Sequence, residues 1–251
     1  FEDYWDTENP AQVAQLEIRV MADNITRLNA LRSGQIDATT ISSTQIPEVE
    51  DDADIRLQMN TELQYFYVVQ NRARAGQDDV RVRQALLHAM DREAMCEALL
   101  LGYCEVTDQP FPSGYFAADP DFDLLFPYDP DRARELLAEA GVESLELSML
   151  IPAWLPTYPE VAQTIQAQWA EVGVQVEFRQ AEPSALGELM FANQEADTML
   201  ASWGGRPDPG MTFIQRAGAE SFANPGGVTT DAMTELIAEA ESTADTEARQ
   251  E

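Results

Sequence analysis

Residues 145–203 alternate between short apolar runs and longer amphipathic segments, and this alternation constrains the fold more than any other feature of the sequence. The apolar runs have the length of strands, whereas the longer segments repeat apolar residues at the spacing of a helix. Strands and helices are predicted in turn at 145–150, 160–172, 174–178, 185–191 and 198–203. A strand–helix–strand succession of this kind predicts parallel strands connected by helices, and therefore an α/β fold.

Further elements are predicted on either side of this region. Residues 65–69 form the most β-prone run of the chain. The start of the chain predicts a β-α-β-α-β stretch with too few elements to close a domain, and its strands lie at 16–20, 36–41 and 55–59. Three more helices are predicted at 80–101, 130–140 and 231–240. The unfinished start indicates that the first residues belong to the middle of a larger arrangement.

The charge balance excludes two classes of partner. The 251 residues include 45 Asp and Glu against 15 basic residues, all of them Arg, which gives a net charge of -30. A surface this negative repels phosphate backbones and anionic headgroups, so neither nucleic acid nor a membrane surface is expected as a partner. With 45% hydrophobic residues the chain can bury a core, as one large or two small domains.

Few of the residues used in covalent or metal catalysis are present. The chain has one histidine, His88, and no lysine, so it lacks an H-E-x-x-H zinc motif, a P-loop and a Schiff-base amine. His88 lies in an amphipathic helical run, which favours a position on the helix surface over a catalytic role. Residues 119–123 begin like an EF-hand loop, but Leu124 and Pro130 replace the glycine and the glutamate that such a calcium site requires. We therefore expect no cofactor and no metal site.

The two cysteines, Cys96 and Cys104, are eight residues apart, the first in a predicted helix and the second just beyond its end. If the chain doubles back after Gly102, the two sulfur atoms can meet, whereas a continuous helix would hold them roughly 12 Å apart. We expect a disulfide bond, which would indicate an oxidising compartment.

Five short motifs follow one another along nearly the whole chain. They are N-I-T-R-L-N-A-L-R-S-G-Q-I-D-A at 24–38, a strand ending in Asn at 65–71, V-R-V-R-Q-A with A-M-D-R at 80–92, Y-D-P with A-G at 128–141, and S-W-G-G-R-P-D-P at 202–209. In this order they resemble the motifs of the family 5 extracellular solute-binding proteins of ABC transporters, which bind peptides, nickel and opines. Each motif alone is weak, but five in the right order point to this family.

The resemblance implies an α/β fold of the periplasmic binding protein type (type II, two-lobed), here mainly the second lobe with part of the first. Residues 1–62 would be the C-terminal part of lobe I, and residues 63–251 would be lobe II, which contributes the second half of the ligand site. The strand at 65–71 would cross between the lobes. Because members of the family are about twice as long as this chain, we expect the sequence to be a fragment of such a protein.

The resemblance also implies a role. The protein would be the substrate-binding component of an ABC importer, capturing a small peptide-like or carboxylate-bearing solute between two lobes and delivering it to permease subunits in the membrane. It would have no catalytic activity and no cofactor, and it would act as a monomer. It would be located in the periplasm or elsewhere outside the cytoplasm, either free or membrane-anchored as a lipoprotein.

Candidate ligand contacts in the second lobe are aromatic residues, glycines and a few polar groups at strand ends. They are Trp203, Gly204, Gly205, Arg206, Asp208, Trp154, Tyr158, Tyr65 and Asn71. For Trp203 the alternative is core packing at the end of a strand. Trp154 and Tyr158 lie in a proline-rich loop that could equally cover apolar surface. Asp208 precedes a proline, so a structural role in a turn is favoured for it.

Arg206 is the most informative candidate. In the peptide-binding members that the chain resembles, the turn after the tryptophan carries an aspartate that pairs with the amino terminus of the ligand, and this sequence has Arg206 there. A guanidinium repels an ammonium group but suits a carboxylate, which it can bind through two parallel hydrogen bonds. The peptide specificity of the family is therefore not transferred, and a ligand with a carboxylate is expected. The alternative is a surface arginine paired with one of the many acids.

Two other functional classes remain open at this point. A carboxylate- or metal-dependent hydrolase on an α/β scaffold would use some of the Asp and Glu residues, although these are spread along predicted helix faces as at Glu135, Glu139 and Glu143. An interaction or chaperone domain would be favoured if the expected pocket were convex. Nickel or haem transport is a variant of the first class, weakened by the single histidine.

Overall fold

The computed structural model describes residues 5–6, 8, 10, 12–60, 62–152, 157–206, 208–227, 229–245 and 248. The chain divides into two compact units, Phe1–Gln58 and Met59–Glu251. This division lies four residues before the boundary that the sequence places between residues 62 and 63.

The described part of the first unit forms two α-helices and a 3-10 turn. Helix α1 spans Asn24–Arg32 and begins after Asp23, whose side chain accepts a hydrogen bond from the Thr26 backbone N–H at 2.7 Å. A 3-10 turn at Ser43–Gln45 leads into the short helix α2, Ile46–Val49. The buried side chains of this unit include Leu28, Ala30, Ile46 and Val49.

The strands predicted at 16–20, 36–41 and 55–59 are wrong, because the described residues of the first unit form no strand. Ile18 and Val20 are 81% and 95% exposed. An alternating pattern produces a strand only where a neighbouring strand completes the backbone hydrogen bonds, and the described part of this unit offers none.

A four-stranded sheet organises the described part of the second unit. Its strands are β1 (Gln64–Gln70), β2 (Leu145–Pro152), β3 (Val174–Ala181) and β4 (Thr198–Gly204), in the order β1-β4-β2-β3. Strand β2 is parallel to β3 and β4, whereas β1 is antiparallel to β4, so that Tyr65 lies opposite Trp203. Parallel strands connected by helices confirm the predicted α/β class.

Seven helices are described in this unit. They are α3 (Val80–His88), α4 (Arg92–Leu100), α5 (Pro130–Glu139), α6 (Thr157–Glu171), α7 (Pro183–Gly187), α8 (Pro209–Ala217) and α9 (Asp231–Ser242), and a π-helical segment, Glu188–Ala192, follows α7. The single helix predicted over 80–101 is two helices, because the Asp91 side chain accepts a hydrogen bond from the Ala94 N–H at 2.9 Å and starts α4. None of the described helices is long and apolar enough to cross a membrane.

One face of the sheet carries the main core. Alternate residues of β2, such as Leu147, Met149 and Ile151, contribute to it, and α3, α5 and α6 supply most of its other buried side chains. At its centre Trp169 of α6 is 0% exposed, and its indole N–H donates to the Leu86 carbonyl oxygen at 2.9 Å. A buried indole that is both packed and hydrogen-bonded fixes α6 against α3.

The opposite face carries a smaller core. Its buried residues are Val69, Leu150, Leu186, Met190, Ala196, Met199 and Ala201. Helix α7 and the π-helical segment contribute Leu186 and Met190 to this cluster, and Tyr67 of β1 packs against it while staying partly accessible. The edge of the sheet formed by β1 and β4 therefore presents aromatic side chains beside this smaller core.

A polar network holds the end of β1 to the middle of the sheet. The Asp197 carboxylate accepts hydrogen bonds from the Ser148 backbone N–H at 2.8 Å, from Ser148 Oγ at 2.7 Å and from Arg74 Nε at 2.7 Å. Burial by itself raises the pKa of Asp197, but these hydrogen bonds and the Arg74 charge outweigh it and lower the pKa below its ordinary value. The network thus links the chain after β1 to β2 and to the start of β4.

Cys96 in α4 and Cys104 are joined by a disulfide bond. Helix α4 ends because the chain turns back through Leu101 and Gly102, which have left-handed φ angles of 55° and 75°. The turn removes the separation that a continuous helix would impose on the two sulfur atoms. The bond holds the segment after α4 against the last turns of that helix.

Candidate functional site

A cavity of about 210 Å³ opens on the face of the sheet that carries the smaller core. Its wall contains Tyr67, Leu186, Phe191, Met199, Trp203 and Phe222. The rings of Phe191 and Phe222 meet edge to face, with centroids 5.7 Å apart, and Phe222 is 73% exposed. The cavity is therefore an apolar recess that lies at the surface of the second unit.

Trp203, a ligand contact predicted from the sequence, lies at the end of β4 and forms part of this wall. Its indole Nε1 is buried and has no hydrogen-bond partner among the residues that the structure describes. Buried indole N–H groups usually find an acceptor, and an unpaired one costs free energy. Nε1 is thus a position where an acceptor atom would stabilise the site.

Arg216, on α8, borders the cavity by contacting three residues of its wall. Its guanidinium carbon lies 4.0 Å from the centre of the Tyr67 ring and 5.4 Å from that of the Trp203 ring. Arg216 Nη1 donates to the Tyr67 hydroxyl oxygen at 2.7 Å and to the Ala223 carbonyl oxygen at 3.4 Å. These contacts hold a planar cation between two aromatic side chains.

Arg216 is not among the residues predicted from the sequence, because helix α8 is not predicted either. Asp208-Pro209 is typical of a turn, but in the structure the Asp208 side chain caps the helix by accepting from the Gly210 N–H at 2.8 Å, and Pro209 takes the first helical position. An aspartate followed by proline is a helix-start signal. Apolar residues and a terminal arginine then follow in M-T-F-I-Q-R, and this pattern could have revealed the helix.

Arg206 also lies beside Trp203. It is exposed, its guanidinium carbon is 5.1 Å from the centre of the Trp203 ring, and its Nε donates to Gln215 Oε1 at 3.2 Å. Among the described residues no carboxylate lies within 4.0 Å of Arg206. The predicted ligand arginine is therefore near the predicted tryptophan and free of a competing ion pair within the described part of the chain.

Three predicted site residues close to Arg206, namely Gly204, Gly205 and Asp208, lie between the end of β4 and the start of α8. A Cβ on Gly205 would lie 2.5 Å from Leu63 Cβ, and the Gly205 N–H donates to the Leu63 carbonyl oxygen, so glycine is needed for this close approach. Gly204 has open space around it. Asp208 caps α8 and lines a second cavity of about 210 Å³ between α8 and α9, whose wall also includes Glu241.

The other candidates have different surroundings. Tyr158 is in α6 rather than in a loop; it is fully buried, and its hydroxyl donates to Ser202 Oγ at 2.8 Å. Asn71 is fully buried, with its side chain donating to the Ala196 carbonyl oxygen at 3.0 Å. Tyr65 is half-buried, with its ring 5.5 Å from that of Tyr67. Trp154 lies outside the described residues.

The tyrosines beside Arg216 remain protonated over the physiological range. Burial raises the pKa of Tyr67 to about 12, although the positive charge of Arg216 opposes the rise. Burial also raises the pKa of Tyr65, again against the charge of Arg216. Both hydroxyls are therefore neutral at pH 7, and the charge of Arg216 is not cancelled by a phenolate.

No group of three or more His, Cys, Asp or Glu side chains within the described ranges is arranged to hold a metal ion. The ring of His88, at the end of α3, has its Nδ1 2.8 Å from the Pro127 carbonyl oxygen, which is a contact that fixes a loop to the helix.

Comparison with known proteins gives concordant matches. The sequence model described as bacterial extracellular solute-binding proteins, family 5 Middle, matches residues 1–224. Heme-binding protein A of Haemophilus influenzae is 30% identical over 179 residues, which cover 69% of this chain and 32% of that protein. The probable ABC transporter periplasmic-binding protein SapA of Escherichia coli is 26% identical over 207 residues, which cover 80% of this chain and 37% of that protein.

A solved structure has the same fold. The dipeptide-binding protein of Pseudoalteromonas sp. SM9913, crystallised in complex with Met-Leu, superposes with a TM-score of 0.77 and 25% identity, covering 92% of this chain and 47% of the other. The chain thus spans about a third of the length of the curated relatives and about half of this solved one. Since the family model matches most of the chain, the chain belongs to the bacterial extracellular solute-binding proteins of family 5.

Proposed function

We propose that this chain is part of the substrate-binding component of an ABC importer, which captures a small peptide-like or carboxylate-bearing solute outside the cytoplasm and delivers it to permease subunits in the membrane. The observation that carries the proposal is the family match over residues 1–224. The name of the Escherichia coli relative, a probable ABC transporter periplasmic-binding protein, supports the transport role. The binding component acts as a monomer, either free or lipid-anchored.

The cavity beside Trp203 supports ligand binding at this place. It joins apolar walls to a few oriented polar groups, which is the usual composition of a small-molecule site. Trp203 supplies the central aromatic surface, Tyr65 extends it across the strand pair, and Gly204 leaves space next to the backbone. Arg206 supplies a cation 5.1 Å from the centre of the Trp203 ring.

The other predicted site residues have supporting roles in this proposal. Gly205 and Asp208 set the course of the chain between β4 and α8, and Asn71 and Tyr158 fix the sheet beneath the site. The function includes no catalytic step. A carboxylate- or metal-dependent hydrolase receives no support from the relatives, whose names are those of binding proteins.

A thermal-shift screen of the intact gene product against di- and tripeptides, N-acylated amino acids and opine-type carboxylates tests the proposal. A solute that binds only the folded state stabilises it by about 2.7 kcal/mol at 100 times its dissociation constant, so a true ligand raises Tm by several degrees. Native mass spectrometry of the same protein, purified without denaturation, should reveal a bound solute. A protein that carries no adduct and shows no shift with any of these solutes would contradict the proposed function.

Arg206 has a separate test. Arg206→Ala should weaken binding of a carboxylate-bearing ligand found in that screen by at least about tenfold, because a charge-assisted hydrogen bond is lost. Equal affinities of Arg206→Ala and the parent protein, measured by isothermal titration calorimetry, would remove Arg206 from the site without affecting the proposed transport role.

A further inference from the structure

Arg216 is one of six described arginines that have no described carboxylate within 4.0 Å. Eight arginines in the described part of the chain lie within 4.0 Å of a carboxylate, as expected for a protein with 45 acidic residues. Arg216 is not one of them. It donates to the Tyr67 hydroxyl and the Ala223 carbonyl and also interacts with the Tyr65 hydroxyl, and all three are neutral oxygens. The charge is therefore oriented but not neutralised by its neighbours.

A second guanidinium reinforces the positive potential at this place. Arg72 donates a hydrogen bond to Asn224 Oδ1, and the neighbouring Ala223 accepts one from Arg216, so the loop after α8 holds both cations through neutral atoms. Burial lowers the pKa of Arg72, and the positive charges of Arg83 and Arg216 lower it further. An anion bound beside Arg216 would relieve this repulsion.

The cavity next to Arg216 is suited to an apolar group. Seven of its wall residues, Pro152, Leu186, Phe191, Met199, Ala201, Phe222 and Ala223, offer only hydrocarbon or thioether side chains. Its volume of about 210 Å³ is enough for a branched or aromatic side chain. Within the described part of the chain, no acidic residue lines this wall to receive an ammonium group.

We propose that this site selects apolar carboxylates: the carboxylate of the solute binds the Arg216 guanidinium, and the apolar group next to it fills the cavity behind Trp203. The inference rests on the proposed function and names its substrate class. A free amino group on the solute is not required, because no acid among the described residues lines the cavity to bind it.

Three small probes test the proposal by isothermal titration calorimetry on the intact gene product. N-acetyl-L-phenylalanine has both features, N-acetyl-L-phenylalaninamide lacks the charge, and N-acetylglycine lacks the apolar group. The first should bind about 10- to 100-fold more tightly than the second, which is the effect of a hydrogen bond to a charged group. It should also bind more tightly than the third, because burial of the phenyl ring is lost in N-acetylglycine.

Variants of Arg216 test whether this residue causes the preference for the acid over the amide. Arg216→Gln should remove the preference for the acid over the amide, whereas Arg216→Lys should retain a smaller preference, because an ammonium keeps the charge but not the planar fork. Arg132→Gln is the matched control: this exposed arginine on α5 pairs with Glu135 and Glu139, so its loss should leave all three affinities unchanged. Should Arg216→Gln fail to fold, judged by circular dichroism, Arg216→Lys carries the test.

The outcomes separate the two proposals. Equal affinity for acid and amide, a preference that survives in Arg216→Gln, an unreduced preference in Arg216→Lys, or binding of other solutes with none of the three probes, would overturn the apolar-carboxylate inference while the transport role stands. Failure of the probes together with every solute of the thermal-shift screen would overturn the proposed function itself.

Discussion

The two faces of the sheet in the second unit differ in how completely they are covered. On the first, α3, α5 and α6 enclose a cluster of twenty buried residues around Trp169. On the second, α7 and the π-helical segment enclose seven, and Trp203, Tyr67 and Arg216 lie beside a cavity. The same four strands thus serve as the base of a core on one side and of the proposed binding surface on the other. Stability and recognition should therefore respond to different substitutions.

The largest effect is expected at the centre of the covered face. Trp169→Ala removes a fully buried indole and leaves the Leu86 carbonyl oxygen without its partner, so the free energy of unfolding should fall by about 3–5 kcal/mol. Urea titration followed by circular dichroism measures the loss. A decrease below about 1 kcal/mol would show that this face does not dominate stability.

A smaller effect is expected where the network at Asp197 joins β2 and β4. Asp197→Asn should cost about 1–3 kcal/mol at pH 7, because the Ser148 N–H and Arg74 lose a charged acceptor. Since the folded-state pKa is lowered, this contribution is complete above the unfolded pKa of about 3.9 and is lost as pH falls through the folded pKa. The stability difference between the parent and Asp197→Asn should therefore shrink below about pH 4, and a difference that stays constant to pH 2.5 would contradict the assignment.

A modest effect is expected at Tyr158, which packs in the main core. Its hydroxyl donates a hydrogen bond to Ser202 of β4. Tyr158→Phe keeps the ring against Phe66 and removes only this hydrogen bond, so a loss of about 0.5–1.5 kcal/mol is expected. The measurement is again the urea midpoint. A loss as large as that of Trp169→Ala would mean that the bond organises both faces together.

The smallest effect is expected on the open face. Phe222 is 73% exposed and contacts the Phe191 ring at the cavity, so Phe222→Ala should change the free energy of unfolding by no more than about 0.5 kcal/mol. The same variant should weaken binding of N-acetyl-L-phenylalanine, because part of the cavity wall is lost. If Phe222→Ala lowered stability and left the affinity unchanged, the open face would contribute to stability rather than to binding.

Elements bounded by clear local signals could be predicted from the sequence. The strands β2, β3 and β4 are short apolar runs between helical segments, so the spacing of apolar residues predicts their positions. Helix α5 follows Asp129 and begins at Pro130, which is a clear capping signal. The strands expected in the first unit could not be judged in this way, because whether a strand forms depends on a partner that the local pattern does not contain.

The site was predictable in part. Trp203 and Arg206 lie in a recognisable motif at a strand end, and the structure places them side by side. Arg216 lies ten residues further on, in a helix whose start was taken for a turn, and its approach to Tyr67 joins residues 149 apart in sequence. Similarly, the motif does not reveal that Gly205 serves the packing of Leu63. Contacts of this range depend on tertiary packing, which local patterns do not encode.

The close approach of Gly205 to Leu63 has a mechanical consequence. The residue just before β1 and the residue just after β4 share a backbone hydrogen bond and leave no room for a side chain between them. A displacement of the residue that enters β1 therefore acts directly on the backbone next to Arg206 through this contact. The proposed ligand surface around Trp203 is in this way coupled to the chain segment before β1.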